Sequence, residues 1–386
     1  MAHARHRGQP PSFRRKPEST GSEFIPFPPS AEHLEAYGIL RRMDATPPAE
    51  RLHPVLRSLV PTLLAAAATE LIVSRLLTQG SVFWPAGGSP DRLVAGFLDH
   101  LAFTLFNFSM VMAVGVLALI GIAGLVYGGG AGMLGRMLSA AWVGFAFWGL
   151  FRAYLNGPLA QALFSVASLL LAMIALAPLF GVASGRAARA FAVLLGASLA
   201  CGAAAAILEA LGAPGAAGTT LVLSARRAGE LLALAAGAVA TALVPFPDPE
   251  SDSAAAFPPA LLAALPAAAF FLMQASTGRA GVTPRWTLGW LGEHGVPPVL
   301  GGLVHATVMF LFLFAVFRAL ADPRWRIRGY GLGFLFVAGI QYRIAYQHLL
   351  ALIGLLLLTR GAAVEPASSV EAPPAPREPA RAPGPV

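Results

Sequence analysis

Long apolar runs separated by short polar stretches dominate the middle of this 386-residue sequence. A transmembrane helix needs about 20 predominantly apolar residues, and these runs approach or exceed that length. The pattern predicts an all-α, polytopic integral membrane protein, a bundle of about nine transmembrane helices. The runs lie near residues 56–77, 101–127, 137–156, 158–182, 190–211, 229–246, 256–275, 296–320 and 330–359.

Both ends of the chain lack this pattern. Residues 1–54 are polar and proline-rich, and residues 361–386 are rich in proline and alanine without a hydrophobic period. Such segments bury too little apolar surface to fold, so we expect two disordered tails around a transmembrane helical domain at residues 55–360. No secretory signal opens the chain, so the first run is expected to insert and stay in the membrane.

Composition and charge narrow the class of protein. Hydrophobic residues make up 56% of the chain and charged residues 12%, outside the usual balance of soluble domains. The net charge is +8, but the arginines are spread over the N-terminal segment and short loops, so no nucleic-acid partner is expected. Cys201 is the single cysteine, and neither a metal site nor a cofactor is predicted. Abundant Ala, Gly, Pro and Arg suggest a bacterium with a GC-rich genome.

The arginines also predict an orientation, because positive residues collect on the cytoplasmic side of a membrane. Arg186 and Arg189 lie in one loop, and four arginines lie in the loop at residues 318–328. Four runs separate these loops, so both face one side. Together with the basic N-terminal segment they predict a multi-pass inner-membrane protein with a cytoplasmic N-terminus. Arg226 and Arg227 fit less well, because they fall in a connection on the predicted outer side.

The fifth and sixth runs are rich in small residues. Ser198 and Gly202 have the small-xxx-small spacing that lets membrane helices pack closely. No internal repeat is visible, so the inverted symmetry of many transporters finds no support in the sequence.

Two titratable residues lie deep in apolar runs. His305 is the only ionisable side chain in the segment Val296 to Phe317, and Glu70 is the one carboxylate expected to lie deep. Ionisable groups at membrane depth are costly to desolvate, so both are candidates for a functional site. The structural alternative for His305 is a hydrogen bond between helices, worth about 1 kcal/mol. Glu70 is either a hydrogen-bond partner inside the bundle or a proton carrier.

The last run contains a polar cluster that includes Gln341, Arg343 and His348. One helix over residues 330–358 would be about 43 Å long, more than a hydrocarbon core of about 30 Å, so it must tilt, break or start outside the membrane. If the whole run spans, the cluster lies at mid-membrane. Gln341, Arg343, His348 and Glu70 are then candidate substrate-binding residues. If the span starts near Ile344, Arg343 snorkels to the interface.

Three short stretches share motifs with a known enzyme family. They are Leu-Phe-Asn-Phe-Ser at residues 105–109 with Ala-Val-Gly at 113–115, Phe-Arg-Ala-Tyr-Leu-Asn-Gly-Pro-Leu at 151–159, and Gly-Leu-Val-His-Ala at 302–306. These resemble an aromatic Phe-Ser element, a Leu-Arg-Asp-Tyr-x-x-x-Pro-Leu segment and a Gly-Leu-Trp-His-Gly element of the membrane-bound O-acyltransferase family.

The resemblance implies a reaction and residues for it. His305 matches the intramembrane catalytic histidine of that family, which would act as general base in acyl transfer from a thioester to a hydroxyl of a lipid or envelope glycan. The family's Phe-Trp-x-x-Trp segment is followed by His or Asn, whereas the nearest match here, Phe147 to Phe151, is followed by Arg152. The second catalytic position is therefore not matched. Arg152 and Asn156 are candidates to stabilise the oxyanion.

Two further classes of function fit the sequence. A secondary transporter would use the deep polar residues as a path near the membrane midplane, flanked by broken helices. A non-catalytic membrane subunit would use the basic loops and proline-rich tails to recruit protein partners. An enzyme instead requires His305 and a polar partner in one chamber reached from the bilayer and the cytoplasm.

Overall fold

The apolar runs fold as helices, since a helix satisfies its own backbone hydrogen bonds in an apolar surrounding. The computed structural model describes residues 54–78, 92–127, 132–152, 157–180, 185–212, 215–244, 257–277, 294–340 and 344–362. Within these ranges 94% of the residues are helical and no strand occurs. The all-α prediction is confirmed for them.

Ten α-helices make up the described part of the chain, and short 3₁₀ turns extend two of them at Ala177–Phe180 and Thr241–Leu243. The α-helices are α1 (Pro54–Thr78), α2 (Arg92–Tyr127), α3 (Gly132–Arg152), α4 (Pro158–Leu176), α5 (Arg186–Ala210), α6 (Gly215–Ala240), α7 (Phe257–Thr277), α8 (Pro298–Ala321), α9 (Arg326–Ile340) and α10 (Ile344–Ala362).

Among the described residues, six segments are long and apolar enough to cross a membrane, so the chain is a multi-pass membrane protein. The prediction of about nine spans is not confirmed. Two shorter apolar helices lie at Pro258–Leu272 and Ala345–Thr359. Large apolar side chains are exposed on α2, as expected of a surface that lipid covers. The six spanning segments are Val55–Ser74, Gly96–Val126, Met133–Arg152, Pro158–Phe180, Arg186–Ala210 and Val299–Ala321.

The last apolar run breaks into two helices. α9 ends at Ile340 and α10 begins at Ile344, and the two helices pack against each other. A Cβ on Gly331 of α9 would lie 2.8 Å from the carbonyl oxygen of Gly354 in α10. The run therefore folds back on itself as a hairpin of two helices. Of the predicted alternatives, a tilted helix, a broken helix or a helix that starts outside the membrane, the break is the one observed.

α10 occupies the centre of the bundle, where it packs against α9, α4, α2 and α3. Its apolar side chains are buried around its whole circumference, with Tyr346, Leu349 and Ile353 fully inaccessible to solvent. A helix surrounded on all sides tolerates a hydrophobic residue at nearly every position, which explains its lack of a polar face.

α5 and α6 form a tightly packed hairpin. Ser198 Oγ donates a 2.8 Å hydrogen bond to the carbonyl oxygen of Gly229, and the backbone oxygen of Ser198 would lie 3.3 Å from a Cβ on Gly229. The close packing expected of the small residues is confirmed. α6 begins at Gly215, so Arg226 and Arg227 lie inside a helix and their assignment to a connecting loop is wrong. Hydropathy placed the helix start too late because these charges interrupt the apolar run.

The helices extend from Pro54 to Ala362, and all described residues belong to one unit, Pro47–Val386. Residues 1–53 and 363–386 lie outside the described residues, so the disorder of both tails stays a prediction.

Candidate functional site

His305 lies on the inward face of α8, near the N-terminal end of that helix. Its side chain is 5% exposed, whereas Leu303 and Val304 beside it are about half exposed, at 51% and 48%. His305 and Phe312 are seven residues apart and so share one face of α8. One side of the helix therefore faces lipid, and the side that carries His305 faces the protein.

The imidazole of His305 is held by its own helix. Nδ1–H donates a 2.7 Å hydrogen bond to the carbonyl oxygen of Gly301, one turn earlier. Because a carbonyl oxygen can only accept, this bond fixes the proton on Nδ1 and leaves Nε2 as an acceptor. Nε2 is buried and has no hydrogen-bond partner within the described part of the chain. The structural alternative for His305, a hydrogen bond to another helix, is not made within the described part of the chain.

Three helices surround the inward face of α8. α7 contributes Phe270, which packs against Ala306, and α6 approaches at Gly237, where a Cβ would lie 3.4 Å from Val308. α9 contributes Phe336, whose ring stacks on that of Phe312 at 5.8 Å between centroids. These contacts of Ala306, Val308 and Phe312 are apolar, and no hydrogen-bond partner of Nε2 lies among the described residues, so the polar partner that the enzyme hypothesis requires is not found there.

Arg152 is not brought to His305. It is the last residue of α3, it is buried, and its helix packs mainly against α2, α4 and α10. α8 instead packs against α7, α9 and α6. Asn156, the other residue predicted to stabilise an oxyanion, lies outside the described residues. The described structure thus gives no support to an oxyanion site built from Arg152 opposite His305.

His348 lies in a second polar site, between the central helix α10 and α4. A 2.7 Å hydrogen bond joins its Nδ1 to the hydroxyl of Ser168, which is buried. The ring of Phe164 meets the imidazole edge to face at 5.6 Å, and Trp148 meets Phe164 in the same way at 5.3 Å. We call Ser168 and His348 the α4–α10 polar pair.

Glu70, another predicted substrate-binding residue, lies apart from these two sites. Glu70 is fully buried on α1, where its Oε1 accepts a 2.9 Å hydrogen bond from Ser74 Oγ. α1 packs against α2 and α9. Gln341 and Arg343 lie between α9 and α10, outside the described residues. The deep polar groups are therefore distributed over several helix interfaces.

Sequence reasoning missed two polar contacts. One is Ser168, which the sequence presents as an ordinary small residue in an apolar run. The other is an ion pair between Glu209 near the end of α5 and Arg226 of α6. The sequence did contain a signal for this pair. A glutamate and an arginine lie on either side of a segment with Gly212 and Pro214, residues typical of a turn that brings two antiparallel helices together.

No protein-family model matches this chain, and no curated protein or solved structure matches it significantly. Within the described residues, no group of three or more His, Cys, Asp and Glu side chains could hold a metal ion. The functional argument therefore depends on the geometry of the polar residues themselves.

Proposed function

We propose that this multi-pass membrane protein transfers an acyl group from a thioester to a hydroxyl group of a lipid or envelope glycan, with His305 as the general base. The supporting observation is the geometry of the imidazole, whose Nδ1–H is bonded to Gly301 and whose Nε2 is left as a buried acceptor. A general base must offer a lone pair within hydrogen-bond reach of the hydroxyl proton. Nε2 offers such a lone pair.

The reaction requires a proton to move twice. Nε2 of His305 takes the hydroxyl proton as the hydroxyl oxygen attacks the thioester carbonyl carbon and a C–O bond forms. The tetrahedral intermediate then collapses, the C–S bond breaks, and the imidazolium returns the proton to the leaving thiolate. The products are an ester and a free thiol. The neutral histidine is regenerated, and every atom of the ester and the thiol comes from the two substrates.

The location of His305 suits a substrate that arrives from the bilayer. Leu303, on the opposite face of α8, is exposed, so only the width of one helix, about 10 Å, separates the imidazole from the exposed apolar surface. The buried Nε2 becomes accessible when α8 separates from a neighbouring helix. Movements of this kind commonly admit substrates to enclosed sites.

The proposal includes a place in the cell, the inner membrane of a bacterium with the N-terminus in the cytoplasm. Arg186 is the first residue of α5, Arg324 lies between α8 and α9, and Arg326 is the first residue of α9. Four helices, α5 to α8, separate Arg186 from the other two arginines, so all three lie at one end of the bundle if each helix crosses. Positive residues favour the cytoplasmic side.

Mass spectrometry of the native host tests the proposed activity. A strain without this protein is compared with strains that express the wild type, His305→Ala or Thr307→Ala, for acylated lipids and envelope glycans. Thr307 is exposed on the same helix, and its hydroxyl bonds only to the carbonyl oxygen of Leu303 among the contacts of the described residues. We expect an acylated product that the wild type and Thr307→Ala restore and His305→Ala does not. Identical profiles at equal protein abundance would reject the proposal.

A second candidate function, a proton-coupled transporter, is favoured by the α4–α10 polar pair. Ionisable side chains inside a helical membrane bundle commonly mark ion or proton pathways, and His348 is hydrogen-bonded to Ser168 at the interface of α4 and α10. Proton flux into proteoliposomes, followed with a trapped pH-sensitive dye, separates the two candidates. A transporter predicts a flux that His348→Ala abolishes and His305→Ala preserves, whereas the acyltransferase predicts no flux above that of empty vesicles.

A further inference from the structure

A cleft opens between the C-terminal end of α5 and the N-terminal half of α6. Its volume is about 350 Å³, at the lower end of the range typical of small-molecule sites. Two glycines, Gly212 and Gly218, leave room in its wall. The remaining lining is apolar except for a hydroxyl and one acidic and one basic side chain, and consists of Leu208, Glu209, Thr219, Val222, Leu223 and Arg226.

The two charges in this cleft form an ion pair. Arg226 donates from its guanidinium to Oε1 of Glu209, and the two side chains are 30% and 34% exposed. Arg226 lies well inside the 26-residue helix α6, so its charge belongs to the packed helices and not to a connecting loop. Since both side chains are partly exposed, a ligand can reach a positive and a negative group at once.

The surroundings of the cleft are those of a lipid-facing surface. Ile207 and Leu211 at the end of α5 are 39% and 75% exposed, and Leu221 of α6 is 58% exposed. Large exposed apolar side chains on a membrane protein are covered by acyl chains. The ion pair therefore lies beside an exposed apolar surface of the kind that acyl chains cover.

We propose that this cleft binds the headgroup of a zwitterionic phospholipid that carries a primary ammonium group. The phosphate contacts Arg226, the ammonium contacts Glu209, and the acyl chains lie against the exposed Ile207 and Leu221. A guanidinium binds phosphate oxygens through paired hydrogen bonds, and a carboxylate accepts from an ammonium. A phosphatidylglycerol headgroup has no cation for Glu209, and a quaternary choline has no N–H to donate.

Native mass spectrometry of the full chain in detergent micelles tests this assignment. The protein is titrated separately with phosphatidylethanolamine, phosphatidylglycerol and phosphatidylcholine of equal chain length. One charge-assisted contact is worth about a tenfold difference in affinity, so we expect the ethanolamine lipid to bind about tenfold more tightly than the other two. Glu209→Gln should remove this preference, whereas Arg226→Gln should weaken the binding of all three lipids, because each carries a phosphate. Asp99→Asn and Arg189→Gln, exposed charges outside the cleft, should leave the preference unchanged.

Two further measurements test the proposal independently of the charge variants. Thr219→Phe fills the cleft without removing either charge. It should abolish the lipid preference while the protein melts at the wild-type temperature. This variant tests the proposal even if the charge variants fail to fold. Free phosphoethanolamine has the same charges without acyl chains. Equal binding of the three lipids, or an unchanged preference in Thr219→Phe, would overturn the proposal. Competition by phosphoethanolamine as strong as that by the lipid would assign the cleft to a soluble zwitterion instead.

Discussion

Gly331 and Gly354 meet across the hairpin of α9 and α10 more closely than any other residue type would allow. A Cβ on Gly331 would lie 2.8 Å from the carbonyl oxygen of Gly354 and 2.7 Å from the backbone nitrogen of Leu358. A Cβ on Gly354 would in turn lie 2.8 Å from the carbonyl oxygen of Gly331. The two backbones are therefore in direct contact, as at small-residue interfaces of membrane helices. This contact keeps the central helix against the rest of the bundle.

Gly331→Ala is expected to destabilise the protein, because the added methyl group meets backbone atoms that cannot rotate away. Overpacking of this kind costs about 1–3 kcal/mol. Gly339→Ala in the same helix is the matched control, since no atom lies within 4 Å of its Cβ position. Thermal unfolding in detergent measures both variants. Equal melting temperatures for Gly331→Ala and Gly339→Ala would show that α9 and α10 do not approach as described.

The α4–α10 polar pair is expected to couple energetically. A double-mutant cycle with Ser168→Ala and His348→Ala should give an interaction energy of about 0.6 kcal/mol, the average for hydrogen bonds between membrane helices. Ser109→Ala replaces Ser168→Ala in the control cycle, because Ser109 bonds to the carbonyl oxygen of Leu105 in its own helix. Coupling of the same size in both cycles would contradict a direct bond between Ser168 and His348.

Arg328 is expected to resist replacement by lysine. Its NH1 donates a 3.1 Å hydrogen bond to the carbonyl oxygen of Leu243, and its guanidinium lies 4.4 Å from the ring centroid of Trp325. A lysine ammonium lacks the planar fork that makes both contacts at once. Arg328→Lys should lose about 1–3 kcal/mol of stability in chemical unfolding. Arg324→Lys is the control, because Arg324 is exposed, and it should leave the stability almost unchanged. A similar loss of stability in both variants would contradict this account.

The orientation can be measured with single cysteines in a Cys201→Ser background. Pro323 and Leu211 are both exposed, at the turn after α8 and at the turn after α5 respectively. The basic connections predict that Pro323→Cys faces the cytoplasm and Leu211→Cys faces outward. In intact cells a membrane-impermeant maleimide should label Leu211→Cys alone, and permeabilised cells should show both. Labelling of Pro323→Cys in intact cells would show that the protein has the opposite orientation.

The apolar runs alone predicted the helical class and most helix positions, because hydropathy reports directly on burial in lipid or protein. They could not predict that the last run forms two helices, α9 ending at Ile340 and α10 beginning at Ile344, since both helices are apolar and their packing depends on the backbone contact at Gly331. They also misplaced the start of α6, because Arg226 interrupts the run while its ion pair with Glu209 makes the charge acceptable.

The candidate site was predictable only in part. The isolation of His305 in an apolar run was visible in the sequence, and the structure places it on the inward face of α8. Its neighbours were not predictable, because the bundle order decides which helices meet: α3 packs against α10, and α8 packs against α7, α9 and α6. Arg152 and His305 were linked only by their resemblance to motifs of one family. Arg152 lies on α3, which packs against other helices than α8 does.

The rate of formation of the acylated product by His305→Gln tests the central claim most directly. Glutamine retains polarity and similar size but cannot take up the hydroxyl proton, so losing the general base should lower the rate by about 100-fold or more at unchanged protein abundance. Thr307→Ala should retain the wild-type rate. A His305→Gln variant that forms the product as fast as the wild type would contradict the assignment of His305 as the base.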